Sequence, residues 1–196
     1  MNLNTNFSFD IDGTISDYPD YWLKFLLHLT GEEFASTFDA KSRLGLDLYD
    51  KYKTEWRLGP GKYEIPIHRE ILELADAIYD AGGRVFINSQ RPFHKFPQMR
   101  EKTINWLRLN KFQFEDVGPK SLAALTSQQI SYHIDDEIAE ALRLKSVPTV
   151  IKVILICKDD AEFRHKSLET ENDSMIIPFQ LGKLSDVFSG WQSKHH

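Results

Sequence analysis

The sequence has a single cysteine, Cys157, so it cannot close an internal disulfide, which points to a reducing compartment. None of its apolar runs approaches the ~18 residues needed to span a bilayer. Nor does any stretch join a charged start, a long apolar centre and a small-residue cleavage site. A soluble, cytoplasmic protein without a membrane partner is the expectation. Positive charge is also in short supply, the formal net charge being −5. Non-specific binding to a long phosphate backbone depends on clustered cations that release counterions, so a long nucleic acid is disfavoured as a partner. The seven histidines show no metal-ligand spacing, and no internal repeat or low-complexity tract is present.

What is present is an ordinary globular balance, 41% hydrophobic and 27% charged. A chain of 196 residues can bury one sizeable core with a small appendage. The organising stretch is FSFDIDGTI at 7–15, a short apolar strand that ends on two carboxylates one residue apart. In an open α/β sheet, ligands bind outside the carboxyl ends of the strands. Asp10 and Asp12 would then face the crevice, Ile11 would point away, and Gly13 would let the chain turn. Residues 1–6 are polar and expected to fray.

From 17 to 62 the pattern becomes helical and aromatic. Trp22, Phe25, Leu26 and Leu29 recur at helical spacing after Asp20, and Gly31 ends that helix. A second helical region covers 32–56, with a break at Gly45, until Gly59-Pro60-Gly61 stops it. The aromatic residues from Tyr18 to Trp56, Phe38 among them, read as a mini-core for a small helical cap inserted after the first strand. Residues 1–16 and 63–196 would form the main α/β domain.

There, Ile67, Ile71, Leu74 and Ile78 give a helix one apolar face up to Gly82-Gly83. Strands are expected at 84–88, 114–117, 131–134 and 150–157, and helices at 97–109, 138–144 and 181–191. Residues 158–173 read as polar loop. Strands alternating with helices predict a doubly wound parallel sheet of Rossmann-like type.

Four strand ends carry chemistry in order: Asp10 and Asp12, then Ser89, then Lys120, then Asp135 and Asp136. Each alone reads as a cap, a turn or a solvated loop residue. Together they fit one reaction. A carboxylate approaching a phosphate dianion meets about 4 kcal/mol of repulsion per charge pair at ~4 Å and an effective dielectric of about 20. A divalent cation and a lysine can offset it. Oxygen ligands suit Mg²⁺, and Asp10 with the Asp135/Asp136 pair supplies them. Ser89 and Lys120 would hold phosphate oxygens, Asp12 would move the proton, and the phosphoryl group would pass through an aspartyl-phosphate.

FSFDIDGTI, FINSQRP, VGPK and YHIDDE resemble the four signature motifs of the haloacid dehalogenase superfamily of phosphohydrolases. With their connecting elements they cover most of 7–145. The resemblance implies a Rossmann-like core, Asp10 as nucleophile, Asp12 as acid/base, and the Asp12 main-chain carbonyl as a further Mg²⁺ ligand. Either Asp135 or Asp136 would ligate the metal directly. The second Asp of the first motif favours a phosphatase over a dehalogenase. Gln90 joins Ser89 and Lys120 as a phosphate-binding position, although it departs from the small residue usual there. SQRP, MREKTINWL and IDDE are further similar to the 5'(3')-deoxyribonucleotidase-like group, which makes a (deoxy)nucleoside monophosphate the expected small phosphomonoester substrate. A sugar-phosphate or polynucleotide 3'-phosphatase would use the same residues, and a non-catalytic phosphate-binding module is the remaining alternative. His94, Lys95, Arg91 and Arg100 read as a charged loop beside the pocket's mouth.

Overall fold

The computed structural model describes residues 5–183. Its first strand, β1 (Asn6–Phe9), is followed by three helices, α1 (Asp20–Thr30), α2 (Thr37–Leu44) and α3 (Leu46–Leu58), and a 3-10 turn at Gly61–Tyr63. Next come α4 (Arg69–Asp80), β2 (Arg84–Ser89), α5 (Pro97–Leu109), β3 (Val117–Pro119), α6 (Leu122–Ser127) and β4 (Ile130–Asp135). The described chain closes with α7 (Ile138–Leu144), β5 (Lys152–Cys157), α8 (Asp160–Glu169) and β6 (Ile176–Gln180).

All six strands join one parallel sheet in the order β3-β2-β1-β4-β5-β6. The chain therefore winds outward from β1 in one direction and, after β3, returns to β4 on its other side. That reversal opens a crevice at the carboxyl ends of β1 and β4. Strand alternation decides which residues serve the core. Phe7 and Phe9 pack with Ile71, Leu74 and Ile78 of α4, whereas Ser8 between them is buried against His133 of β4. A second apolar cluster joins Leu125 and Ile130 to Ala141, Leu144 and Val153.

Helices α1 and α3 share a separate aromatic cluster, with Trp22, Tyr49 and Trp56 at its centre. Trp22 meets Tyr49 edge to face at 5.6 Å and donates its indole N–H to the Tyr49 hydroxyl. Gly31 ends α1 at φ 73°, a conformation that favours glycine, and Gly45 separates α2 from α3 at φ 74°. Phe38, read from the sequence as part of this cluster, is instead 80% exposed on α2.

Other differences from the sequence reading are local. Asn6 belongs to β1 rather than to a frayed end, and α4 starts at Arg69, after Pro66. The third strand runs 117–119 rather than 114–117. The 158–173 stretch holds a helix, α8. It has no apolar stripe, but Asp159 caps it by accepting the Ala161 and Glu162 N–H groups. Its buried Lys166 is tied to Glu162 and to the carbonyls of Ile156 and Asp136. Residues 176–180 form the sheet-edge strand β6, whose Pro178 an edge tolerates. The helix expected over 181–191 lies outside the described residues from 184 onward.

Candidate active site

Each acid sits where it does because a strand delivers it. The Asp10 N–H donates to the Ile134 carbonyl at 2.9 Å, extending the β1–β4 ladder by one residue and setting Asp10 beside the end of β4. Lys120 is placed likewise, its N–H donating to the Ser89 carbonyl at 2.9 Å. Carboxylate oxygens of Asp10, Asp135 and Asp136 come within 4.8 Å of one another. Lys120 Nζ stands 2.7 Å from Asp135 Oδ2 and 3.5 Å from Asp10 Oδ1. Gly13 is required here: at φ 98°, a Cβ on it would lie 2.0 Å from Asp136 Oδ2.

The three clustered carboxylates differ in what they have left to offer. Asp135 is saturated: Oδ1 accepts the main-chain N–H groups of Asp136 and Glu137, and Oδ2 accepts Lys120 and His133 Nε2. A carboxylate has about four acceptor directions, and all are used. Burial works against its ionisation, but His133 and Lys120 hold it well below the usual carboxylate range. His133 in turn meets Ser8 Oγ through Nδ1, a buried chain that fixes the ring. The Asp136 carboxylate, by contrast, accepts only the Thr14 hydroxyl at 3.2 Å among the described residues, and burial beside the Asp135 charge pushes its carboxyl up to about 7. Asp10 Oδ1 is buried and, with Lys120 at 3.5 Å, has no hydrogen-bond partner among the described residues. Burial and the Asp135 charge push the Asp10 carboxyl well above its ordinary value, with Lys120 pulling the other way.

A buried oxygen without a hydrogen bond, a second undersupplied carboxylate and an all-oxygen donor set fit a hard divalent cation such as Mg²⁺.

Asp12 faces a different environment. Arg91 binds it in a fork, Nη2 to Oδ1 at 2.6 Å and Nε to Oδ2 at 3.1 Å, and Lys62 reaches both oxygens at 3.1 Å. Despite burial, these two cations hold the Asp12 carboxyl far below its ordinary value. Its side chain stays 23% exposed, so a ligand can still touch it. A cleft of about 210 Å³ lies over these groups, floored by Asp10, Asp12, Ser89, Gln90, Arg91 and Lys120. Tyr18, Lys53, Arg57 and Lys62 close it from the helical insertion.

All seven residues singled out from the sequence thus gather at one end of the sheet, Gln90 as an exposed residue at the rim. Ser89 Oγ also accepts the Arg91 N–H at 3.3 Å, which is the loop-capping role a lone serine would have. Arg91 is not a loop charge but a buried partner of Asp12, also bonded to Thr103. Arg100 pairs with Asp116 at the surface, and His94 and Lys95 are exposed. Lys62, Lys53, Arg57 and His133 went unread in the sequence. No spacing marks the first three, and His133 was legible only as the alternate residue on a strand ending in Asp135.

No family model matches the chain, and no curated protein matches it. Solved structures do. A protein of Clostridium acetobutylicum described as a predicted phosphatase is 14% identical, aligned over 96% of this chain and 100% of its own, with a TM-score of 0.62. CbbY of Rhodobacter sphaeroides, crystallised with phosphate and, as a mutant, with xylulose-(1,5)bisphosphate, is 12% identical with a TM-score of 0.56. The alignment with the phosphate complex covers 93% of this chain and 100% of that one. A 2-haloacid dehalogenase of Pseudomonas syringae is 14% identical over 96% of this chain and 100% of its own, with a TM-score of 0.52. At such identities the likeness is one of fold. The chain has the Rossmann-like α/β fold of the haloacid dehalogenase type.

Proposed function

We propose that the protein is an Mg²⁺-dependent phosphomonoester hydrolase working through an aspartyl-phosphate on Asp10. The observation that carries this reading is the juxtaposition of Asp10, whose buried Oδ1 has no hydrogen bond among the described residues, with Asp136 and the Lys120–Asp135 pair. Asp10, Asp136 and the Asp12 main-chain carbonyl would hold the metal, and saturated Asp135 would orient Lys120 instead of ligating. When bound, Mg²⁺ would lower the Asp10 carboxyl into its ionised form and neutralise phosphate charge.

Asp10 then attacks phosphorus as the bond to the ester oxygen breaks, while Lys120 and the Ser89 hydroxyl hold the other phosphate oxygens. Asp12 delivers a proton to the departing alkoxide and takes one back from the water that hydrolyses the acyl phosphate. Its clamp by Arg91 and Lys62 keeps it a carboxylate in the arrangement described, so protonation at Asp12 depends on those contacts loosening. Lys62 sits just after α3, so a movement of the helical insertion would loosen them. In this reading α1 to α3 act as a cap that closes over the substrate and excludes water.

A sugar phosphate suits the cleft better than the nucleotide implied by the narrower resemblance. Tyr18 is the one aromatic ring among its lining residues, leaving little for a base to stack on. The bisphosphate bound by CbbY points the same way. The test is a phosphate-release screen over sugar phosphates, nucleoside monophosphates and a 3'-phosphorylated oligonucleotide, with and without chelator. Release that stops with chelator and returns with Mg²⁺ is expected. No release from any ester, or release indifferent to chelation, would overturn the proposal.

A further inference from the structure

The cleft carries more positive charge than one phosphate needs. Lys120 and Ser89 already serve the reacting end. Beyond them, Lys53, Arg57, Lys62 and Arg91 line the same cavity, and apart from Asp10 at the reacting end the carboxylates lining it with them are Asp12 and Glu137. Lys62 and Arg91 are engaged with Asp12. Lys53 and Arg57 have no carboxylate partner among the described residues.

Lys53 decides the argument. It is 7% exposed, and its Nζ lies 4.3 Å from the ring centroids of Tyr18 and Trp22 and 5.2 Å from that of Trp56. Its one hydrogen bond among the described residues is to the Tyr18 hydroxyl, to which it donates at 2.6 Å. Ring faces attract a cation, but far more weakly than burying an ammonium without a counter-charge costs. The neighbourhood worsens that cost, because Lys62 Nζ lies 4.5 Å from the Trp56 ring and 5.6 Å from the Tyr18 ring. Two lysines sharing two rings repel each other. A cap needing only a staple here would fill the space with an apolar side chain. An anion entering the cleft would give Lys53 and Arg57 the counter-charge they lack, and Lys62 a second one beside Asp12.

We infer that Lys53, Arg57 and Lys62 form a second anion-binding subsite, so that the substrate is a small phosphomonoester carrying another phosphate or a carboxylate on the same carbon skeleton. The identity of the reacting end rests on the phosphatase reading above; the cap subsite stands on its own residues. The core cleaves one phosphate while the cap holds the other anion, and closure over the site is favoured by substrates that supply both charges.

Two matched pairs test this: 3-phosphoglycerate against glycerol 3-phosphate, and fructose 1,6-bisphosphate against fructose 6-phosphate. For each, kcat/KM is measured on the parent protein, and the dissociation constant by calorimetry on Asp10→Asn with Mg²⁺. In at least one pair the doubly anionic member should win by about tenfold or more in both measurements. Lys53→Met and Arg57→Met should each cut that ratio by about threefold or more. A merely structural lysine would shift the melting temperature and leave the ratio alone. Arg57→Met keeps the test open should Lys53→Met fail to fold. Ratios near one in both pairs, or a preference that survives both substitutions, would overturn the subsite. If no ester releases phosphate but the calorimetric preference holds, the phosphatase reading falls and the subsite remains.

Discussion

The floor of the cleft is made of carboxylates that a parallel sheet holds at its strand ends, whereas the roof is made of cations that helices hold against aromatic rings. The floor is rigid by construction. Asp10 extends the β1–β4 ladder, Asp135 accepts four hydrogen bonds, and Ser8 and His133 brace it from beneath. The roof has no such lattice. Lys53 and Lys62 rest on Tyr18, Trp22 and Trp56; within the cleft the roof meets the floor through the Lys62–Asp12 ion pair, while at its edges Lys158 donates to Asp17 and the Tyr18 carbonyl and Lys102 to the Leu58 carbonyl. Chemistry common to many substrates belongs on the rigid side, and selection among them on the movable one. Both halves hold charge in the wrong company: acids crowd below and lysines crowd above. A cation below and an anionic substrate between would relieve both.

The comparison breaks most severely at its floor. Asp10→Asn should cut turnover by about 10⁴-fold or more, the scale at which loss of a catalytic nucleophile acts. It should not lower the melting temperature of the metal-free protein, because it removes a buried carboxyl that Asp135, Asp12 and Asp136 already disfavour as an anion. Phosphate release and a thermal melt check the two halves of that expectation. Turnover within tenfold of the parent would remove Asp10 from its role.

Next in size is the joint between floor and roof. Arg91→Met takes away the fork on Asp12 and the bond to Thr103, leaving Lys62 to face Asp12 alone. Breaking a buried pair by deleting one partner costs about 3–5 kcal/mol, and the part-exposed Asp12 puts the expected loss near about 3 kcal/mol. Urea unfolding gives the number. A loss below about 1 kcal/mol would mean that Arg91 does not hold the site together.

The floor was far more legible in the sequence than the roof, for a physical reason. A strand end is announced by an apolar run that stops, so FSFDID, RVFINS and SYHIDD each gave their acids or hydroxyl an address before any fold was known. The order of those addresses fixed which would meet. Lys62 carries no such signal, because its place opposite Asp12 follows from how α3 ends and the 3-10 turn folds back. Arg91 was seen but read as surface charge, since its partner lies 79 residues away. The missed helix α8 shows the same limit. Its ten residues have no apolar face, and a cap and one buried lysine hold it instead.

A smaller change would loosen the floor without deleting any of its acids. Gly13→Ala sets a methyl 2.0 Å from Asp136 Oδ2 and imposes an unfavourable φ of 98°. Asp136 must shift, and displacing a ligand's support typically costs about 10–100-fold in metal affinity. Magnesium titration of activity would show the activation curve displaced by that factor, with kcat recovering at saturating metal. An unshifted curve would exclude Asp136 from the metal site.

The roof can be tested through protons, with the smallest expected effect. Burial, with Lys62 close by, lowers the Lys53 ammonium to about 6, against 10.5 in an unfolded chain. Between those values the folded protein holds fewer protons at this position than the unfolded one, so Lys53 adds a term that rises with pH. The penalty it imposes is fully present below about 6 and vanishes above about 10.5. Lys53→Met, which keeps the length and the ring contacts, should therefore be the more stable protein at pH 7. Its advantage should narrow by about 1.4 kcal/mol as the pH rises from 7 to 8, since over that unit the unfolded lysine holds a proton that the folded one has mostly lost. Parallel urea titrations of the two proteins across that range measure the gap. An advantage that stays constant or widens with pH would mean that the Lys53 ammonium is not held against its preference, and the contrast between a crowded roof and a crowded floor would lose its upper half.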